Sequence, residues 1–340
     1  MKKFALLFLL VAMSVSYAQV TTLWEKSAGA GTLPSWFSTA NNERAFAFDK
    51  VSNQIVIVSR NGGIKLVVVN AANGDSVKML DPRNISGGLF AVSDAGFSTD
   101  GVMYVCNMNN SAAGPINIYR FSTLNDTAKT AFSGIITANA KRIGDMMTVV
   151  GSTTDNSLLI TFADATANKV FIMKTSDNGN TLFVADSIAL PAATFGGAPV
   201  AYPTVVGGSL TKLITKSTGK MIQVWNIAGN VATLAGASSS AEVASGSTGL
   251  APFMINGNGF IATQRYSNPS MTTIYDMQGD TAAYYKPYAS TPTLGANANG
   301  NGSGDVEVVV NNDGTVTLYN MSANNGFGAY KISFPLIVNG

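Results

Sequence analysis

The sequence predicts an all-β protein: a six-bladed β-propeller of four-stranded blades, with the last blade closed by the N-terminal strand. Three observations lead there. A strand–turn–strand unit recurs about every fifty residues, at 66–77 (LVVVNAANGDSV), 116–128 (INIYRFSTLNDTA), 170–183 (VFIMKTSDNGNTLF), 221–234 (MIQVWNIAGNVATL) and 271–284 (MTTIYDMQGDTAAY). The segments between these hairpins alternate apolar and polar residues and are bounded by Asn/Gly/Asp/Ser clusters, which is the strand signal. No helical period runs between them, and repeats of this length made only of strands stack radially as blades.

Each unit resolves into an innermost strand, a second strand and the hairpin. The first gives 44–49 (RAFAFD), 54–60 (QIVIVSR), 64–70 and 76–80, the second 89–93, 102–107, 116–121 and 128–132, and the third 146–150, 158–162, 170–174 and 182–186. The fourth and fifth repeat the plan, with 212–215 (KLIT) and 260–264 (FIATQ) as second strands. The sixth supplies 305–310, 315–320 and 329–334 but no outer strand. Residues 21–26 (TTLWEK), ahead of the first inner strand, resemble the outer strands and are expected to fill that place, leaving no blade edge open.

Segments 31–43, 196–202 and 237–249 are expected to cross one face of the ring, where loops carry most propeller functions. Residues 295–304 (GANANGNGSG) read as a flexible connection between blades five and six.

The chain opens Met1-Lys2-Lys3, continues through an apolar segment to about Met13 and reads Ser16-Tyr17-Ala18 before Gln19. This is the pattern of a secretory signal over residues 1–18, which leaves 19–340 as a single propeller domain, secreted, periplasmic or on the cell surface. No later apolar run reaches the roughly 18 residues that span a bilayer. Losing Lys2 and Lys3 takes 21 basic residues to 19, against 19 acidic ones, so the formal charge falls from +2 to zero. A neutral chain has no electrostatic footprint for nucleic acid or anionic lipid.

The chain has no histidine. That removes Ser-His-Asp and Cys-His nucleophiles, histidine-held metals and haem, and imidazole acid–base chemistry. Neither a cofactor nor a metal is expected. Cys106, the only cysteine, reads as a buried and inert thiol, since nothing is present to activate it. The alternation of Asn297, Asn299, Asn301, Ser303, Asp305 and Glu307 superficially resembles a calcium loop but lacks its carboxylates and spacing.

Carboxylate chemistry survives this test. Glu43, Asp145, Asp305 and Glu307 lie at or in inner-strand segments, from which two of them can face each other across a substrate as glycosidase chemistry requires. Alternatively, they pair with Arg44, Arg142 and Lys141 nearby. Arg60, Lys216 and Arg265 end second strands, and Asn107, Asp164 and Asn320 hold comparable places in the other blades. Such a ring around one mouth suits a polar or anionic ligand, and solvated strand ends are the plainer reading. The candidate binding residues are Trp36, Phe37, Arg44, Arg60, Asn107, Arg142, Lys216 and Arg265. In 284–288 (YYKPY) adjacent tyrosines must point to opposite faces, so one is expected to be exposed or to lie under a loop.

The turn Thr175-Ser176-Asp177-Asn178-Gly179-Asn180-Thr181-Leu182 resembles the Asp-box of sialidases and related propellers, with Leu182 at the usual aromatic position and Phe183 after it. In that family the box is a folding element between third and outer strands, so the resemblance implies the fold and not the activity. The phrases LPSWFSTANNERAFAF, IVIVSRNGG and VVNAANGD are similar to a group of secreted bacterial propellers of unknown function. That similarity implies a ring of six or seven blades in an extracytoplasmic setting, and no catalytic residues.

The expected function is a secreted, non-enzymatic binding or scaffold protein for a protein or glycan partner at the cell surface. The alternative is a carboxylate-dependent carbohydrate-active enzyme, a glycosidase or lyase.

Overall fold

Six antiparallel four-stranded sheets form the chain. A computed structural model describes residues 18–137, 142–266, 268–277 and 285–334. Residues 1–17, Lys141 and Tyr284 therefore lie outside the described residues, as do most of the leader and one of the paired tyrosines.

Blade 1 contains β2 (Glu43–Asp49), β3 (Gln54–Ser59), β4 (Lys65–Asn70) and β5 (Ser76–Met79). Blade 2 contains β6 (Phe90–Phe97), β7 (Met103–Met108), β8 (Ile116–Phe121) and β9 (Lys129–Gly134). Blade 3 contains β10 (Met147–Val150), β11 (Leu159–Asp164), β12 (Lys169–Lys174) and β13 (Phe183–Ala189). Blade 4 contains β14 (Val200–Val206), β15 (Ser209–Lys216), β16 (Gln223–Ala228) and β17 (Val231–Ala237). Blade 5 contains β18 (Ser247–Ile255), β19 (Asn258–Arg265), β20 (Met271–Asp276) and β21 (Lys286–Ser290). Blade 6 contains β22 (Gly304–Val310), β23 (Thr315–Ser322) and β24 (Gly326–Ser333), and its fourth strand is β1 (Gln19–Ser27), paired antiparallel to β24 from Gln19↔Ser333 to Ser27↔Gly326. The result is a six-bladed β-propeller.

Alternation along each strand sends side chains to both faces of its blade, and each face packs on a neighbouring blade. The core is accordingly six separate layers. Val56, Val68, Met103 and Val105 lie between blades 1 and 2, and Ile118, Ile160 and Phe162 between 2 and 3. Leu213 and Trp225 meet blade 3, Val224 meets Ile261 of blade 5, and Ile274 meets Leu318 and Tyr330 of blade 6. Phe46, Ile57, Met321 and Phe327 complete the ring between 6 and 1. No layer is complete without both blades, so stability depends on closing the circle.

The closing layer is aromatic. Trp24 stands edge-on to Phe327 at 5.8 Å, Phe37 stacks on Phe327 at 5.7 Å, and Phe48 stacks on Tyr319 at 4.7 Å. Trp24 Nε1 donates to Ala71 O of blade 1 at 2.8 Å, and Lys26 reaches Asp75 at 2.7 Å. Gly74 makes this approach possible: its φ is +72°, and a Cβ there would lie 2.6 Å from the Trp24 ring.

Several segments differ from the sequence reading: 196–202 and 237–249, expected as loops, run into β14 from Val200 and into β18 from Ser247. The inner strand of blade 2 runs Phe90–Phe97 rather than 89–93, because its ladder slips between Phe90 and Asp94 and then resumes through a Ser-Asp-Ala-Gly stretch that reads as a turn. Residues 295–304 are not a loose connection. Asn299 and Ser303 are buried, Asn299 Nδ2 donates to Ser303 O, and Asn297 donates from Nδ2 to Asn324 O and from its backbone N to Asn325 Oδ1. Asn41, from the segment leading into blade 1, accepts from Asn324 Nδ2 and Gly300 N, so amides fasten both sides of the seam.

Candidate functional site

The inner strands and the segments entering them bring four of the predicted residues together at one mouth of the channel. Arg44 on β2 is buried and donates from Nη1 to Ser303 Oγ at 2.8 Å and from Nη2 to Asp145 Oδ1 at 3.3 Å. Arg142 grips the same carboxylate, with Nε 2.6 Å from Oδ2 and Nη2 3.0 Å from Oδ1. The Arg142 side chain remains 43% exposed, so one face of the pair meets solvent. Gly144, at φ +83°, lets the chain turn against blade 2 beside Asp145; a Cβ there would lie 2.1 Å from Asn107 O.

Arg60, just after β3, crosses to blade 2. Its Cζ lies 3.6 Å from the centroid of the Phe90 ring, and Arg44 lies over the same ring at 5.2 Å. The Nε atoms of both arginines are buried without a hydrogen-bond partner. Burial, with the nearby Arg44 charge, lowers the Arg60 guanidinium to about 10. Glu43 lies behind them, fully buried, accepting from Ser38 N and Ser59 Oγ on Oε1 while Oε2 has no partner. Burial raises its carboxyl above the ordinary value. The mouth thus offers three arginines, one carboxylate shared by two of them, and an aromatic platform.

Other predicted residues are internal. Lys216 is fully buried and donates to Ser217 O and Ser247 O, and burial lowers its ammonium to about 7. Asn107 holds blade 2 together through Pro115 O and Asn117 N, and Asn320 donates to Thr272 Oγ1 of blade 5. Asp164 Oδ1 caps the turn at Thr166 and also accepts Arg142 N. Phe37 is buried in the seam and Trp36 is half-buried there, donating to Ser76 Oγ. Arg265 is half-buried and bonded to Asn268 O. Tyr285 is fully buried, and Cys106 is a buried thiol raised well above its ordinary value by burial.

Asp305 and Glu307 lie deeper, on β22, and line a chamber of about 130 Å³ in the channel. Burial raises Asp305 to about 7 and Glu307 to about 8, the latter with help from the Asp305 charge. Asp94, on β6, accepts from Ala95 N and Met147 N and is likewise raised by burial and by Asp305. The chamber is smaller than the roughly 300–1,000 Å³ of sites that enclose small ligands. Among the described residues, no group of three or more acidic or cysteine side chains is placed to hold a metal ion.

Sequence reasoning missed Phe90 and Asp94, and it named Ser303 only within the calcium-like alternation and not as a partner of Arg44. Phe90 was legible in principle, because it opens its inner strand as Glu43 opens β2, next to a predicted arginine mouth.

The molecule is thus a six-bladed propeller with an arginine-lined mouth. Among solved structures it is similar to a DUF4623 family protein from Bacteroides eggerthii, at TM-score 0.72 and 14% identity over 93% of this chain and 76% of that one. A structural genomics protein of unknown function from Bacteroides thetaiotaomicron matches at TM-score 0.54 and 12% identity, with the same coverage of each chain. At these identities the likeness is one of fold alone. No protein-family model and no curated protein matches the chain.

Proposed function

We propose that this protein is an exported, non-enzymatic binding module that takes a glycan or protein partner at its arginine-lined mouth, by a carboxylate or sulfate that the partner presents. The observation that carries this reading is that Arg60 and Arg44 both lie over the Phe90 ring, beside an Arg142 whose face is open to solvent. Three guanidiniums at the mouth face two carboxyls, Asp145 shared by Arg44 and Arg142 and the buried Glu43 behind Arg60, which leaves an excess of positive charge where the whole mature chain has none. Guanidinium forks bind carboxylates and tetrahedral oxyanions in two-point contacts, and a ring beside them provides a face for a sugar or an apolar side chain.

The enzyme reading has less support. Glu43 and Asp145 are committed to buried hydrogen bonds, and Asp305 and Glu307 face a chamber too small for a sugar ring and its leaving group. The leader-like residues 1–18 support export. A panel of neutral and acidic oligosaccharides, run beside surface extract from the producing cells, tests the reading. Retention of acidic partners, lost in an Arg60→Gln/Arg142→Gln protein that keeps its melting temperature, is the expected result. Equal retention by the variant contradicts it.

A further inference from the structure

The opposite face has a second site of different chemistry. An apolar groove of about 810 Å³ runs between the bottom ends of blades 3, 4 and 5, floored by Phe260, Met277 and Val224. Its rim is exposed: Val206 at 63%, Met254 at 59% and Val205 at 40%. Its volume falls within the range of ligand pockets, unlike that of the channel chamber. The turns that form the rim, 207–208 and 256–257, are Gly-Gly and Asn-Gly, so the apolar residues beside them are not needed to make the turns.

Tyr202 and Pro252 line both this groove and the channel chamber. Beyond them lie Asp305 and Glu307, and burial, with a smaller contribution from the Glu307 charge, pushes the Tyr202 phenol up to about 12. No hydrogen bond or ion pair to Glu307 forms among the described residues, and no cationic side chain among them offsets either acid. Lys212 stands on the groove wall, where it is already engaged in an interaction of its own. The groove is therefore mainly apolar and acidic past its inner end.

We propose that the groove binds a small amphipathic cation, with an apolar body against Phe260, Met254 and Met277 and one protonated amine directed past Tyr202 toward Glu307. Glu307 must be ionised to pair with the amine. Below about pH 8, binding therefore releases a proton from the protein.

Calorimetric titration of the full mature protein with octylamine, octanol and octanoate, each below its aggregation limit, tests the proposal. Octylamine is expected to bind one to one, about tenfold or more tighter than octanol, the ratio a charge-assisted hydrogen bond gives. Octanoate is expected to bind weakest. At pH 6.5 the octylamine heat should change with buffer ionisation enthalpy, reporting proton release, and at pH 9.5 it should not. Glu307→Gln should erase the preference for the amine and keep octanol binding. Val206→Asp, at an exposed position, should weaken all three ligands. Tightest binding by octanoate would assign the groove to Lys212 and overturn the proposal. Equal affinities that ignore Glu307→Gln, or an absence of saturable binding, would overturn it as well.

Discussion

The Arg60 Cζ lies over the Phe90 ring, 3.6 Å from its centroid, so a charge from blade 1 rests on an aromatic from blade 2. A cation over an aromatic face is worth about 0.5–2 kcal/mol, more as it is desolvated. The contact holds an arginine in place at the mouth. A preorganised guanidinium loses less entropy on meeting an oxyanion.

Phe90→Ala should therefore weaken partner binding more than it weakens the fold. We expect about a tenfold loss of affinity and a stability change of about 1 kcal/mol, the scale of the contact removed. Parallel binding and denaturant titrations of the same protein check the split.

Asp145→Asn should be the most destabilising of the mouth substitutions. It removes the carboxylate that neutralises buried Arg44, and stranding a buried charge costs about 3–5 kcal/mol. Urea unfolding should show a lower midpoint with an unchanged slope.

Stability should pass through a minimum in pH. Asp305 and Glu307 keep their protons in the folded chain up to about 7 and about 8. Unfolded, they release them near pH 4. Between these limits the folded state binds more protons, so stability is greatest at the acid end and falls as pH rises through the window. Lys216 acts in the opposite sense. Its folded value is about 7, and the unfolded side chain stays protonated to about pH 10, so its contribution rises between those values. Melting temperatures from pH 4 to 10 should show the minimum at about pH 7–8. Asp305→Asn with Glu307→Gln should flatten the acid limb, and Lys216→Met the alkaline one.

Removing Gln19–Ser27 should lower the melting temperature by about 10 °C or more, since it strips the outer strand from β24 and takes Trp24 out of the seam. Trp24→Ala should reproduce part of the loss, and differential scanning calorimetry of both proteins checks the order.

Much of the fold was legible because blades repeat. Alternating strands and Asn/Gly turns gave six units, and TTLWEK falls inside β1 beside β24. The site was less legible, for reasons of geometry. Lys216 reads as a strand-end cation meeting water, yet the neighbouring blade closes over it and backbone carbonyls accept its hydrogen bonds. Phe37 reads as a loop aromatic but fills the seam, and the Gly/Asn run 295–304 reads as solvated but is held by amides from distant loops. In each case the partner is supplied by an adjacent blade or the loop beside it. Asp94 lies in a stretch that resembles a turn, and only the slipped ladder shows it as an inner-strand acid.

One measurement tests the central claim most directly: affinity for an acidic oligosaccharide or surface partner, compared across the wild type, Arg60→Gln/Arg142→Gln, and Asp305→Asn/Glu307→Gln, with substrate integrity followed in the same samples. The binding-module account predicts that the arginine variant loses about tenfold or more in affinity, the channel variant binds like wild type, and the partner is recovered intact. Cleavage of the oligosaccharide that disappears in the folded channel variant, with binding indifferent to the arginines, would contradict it.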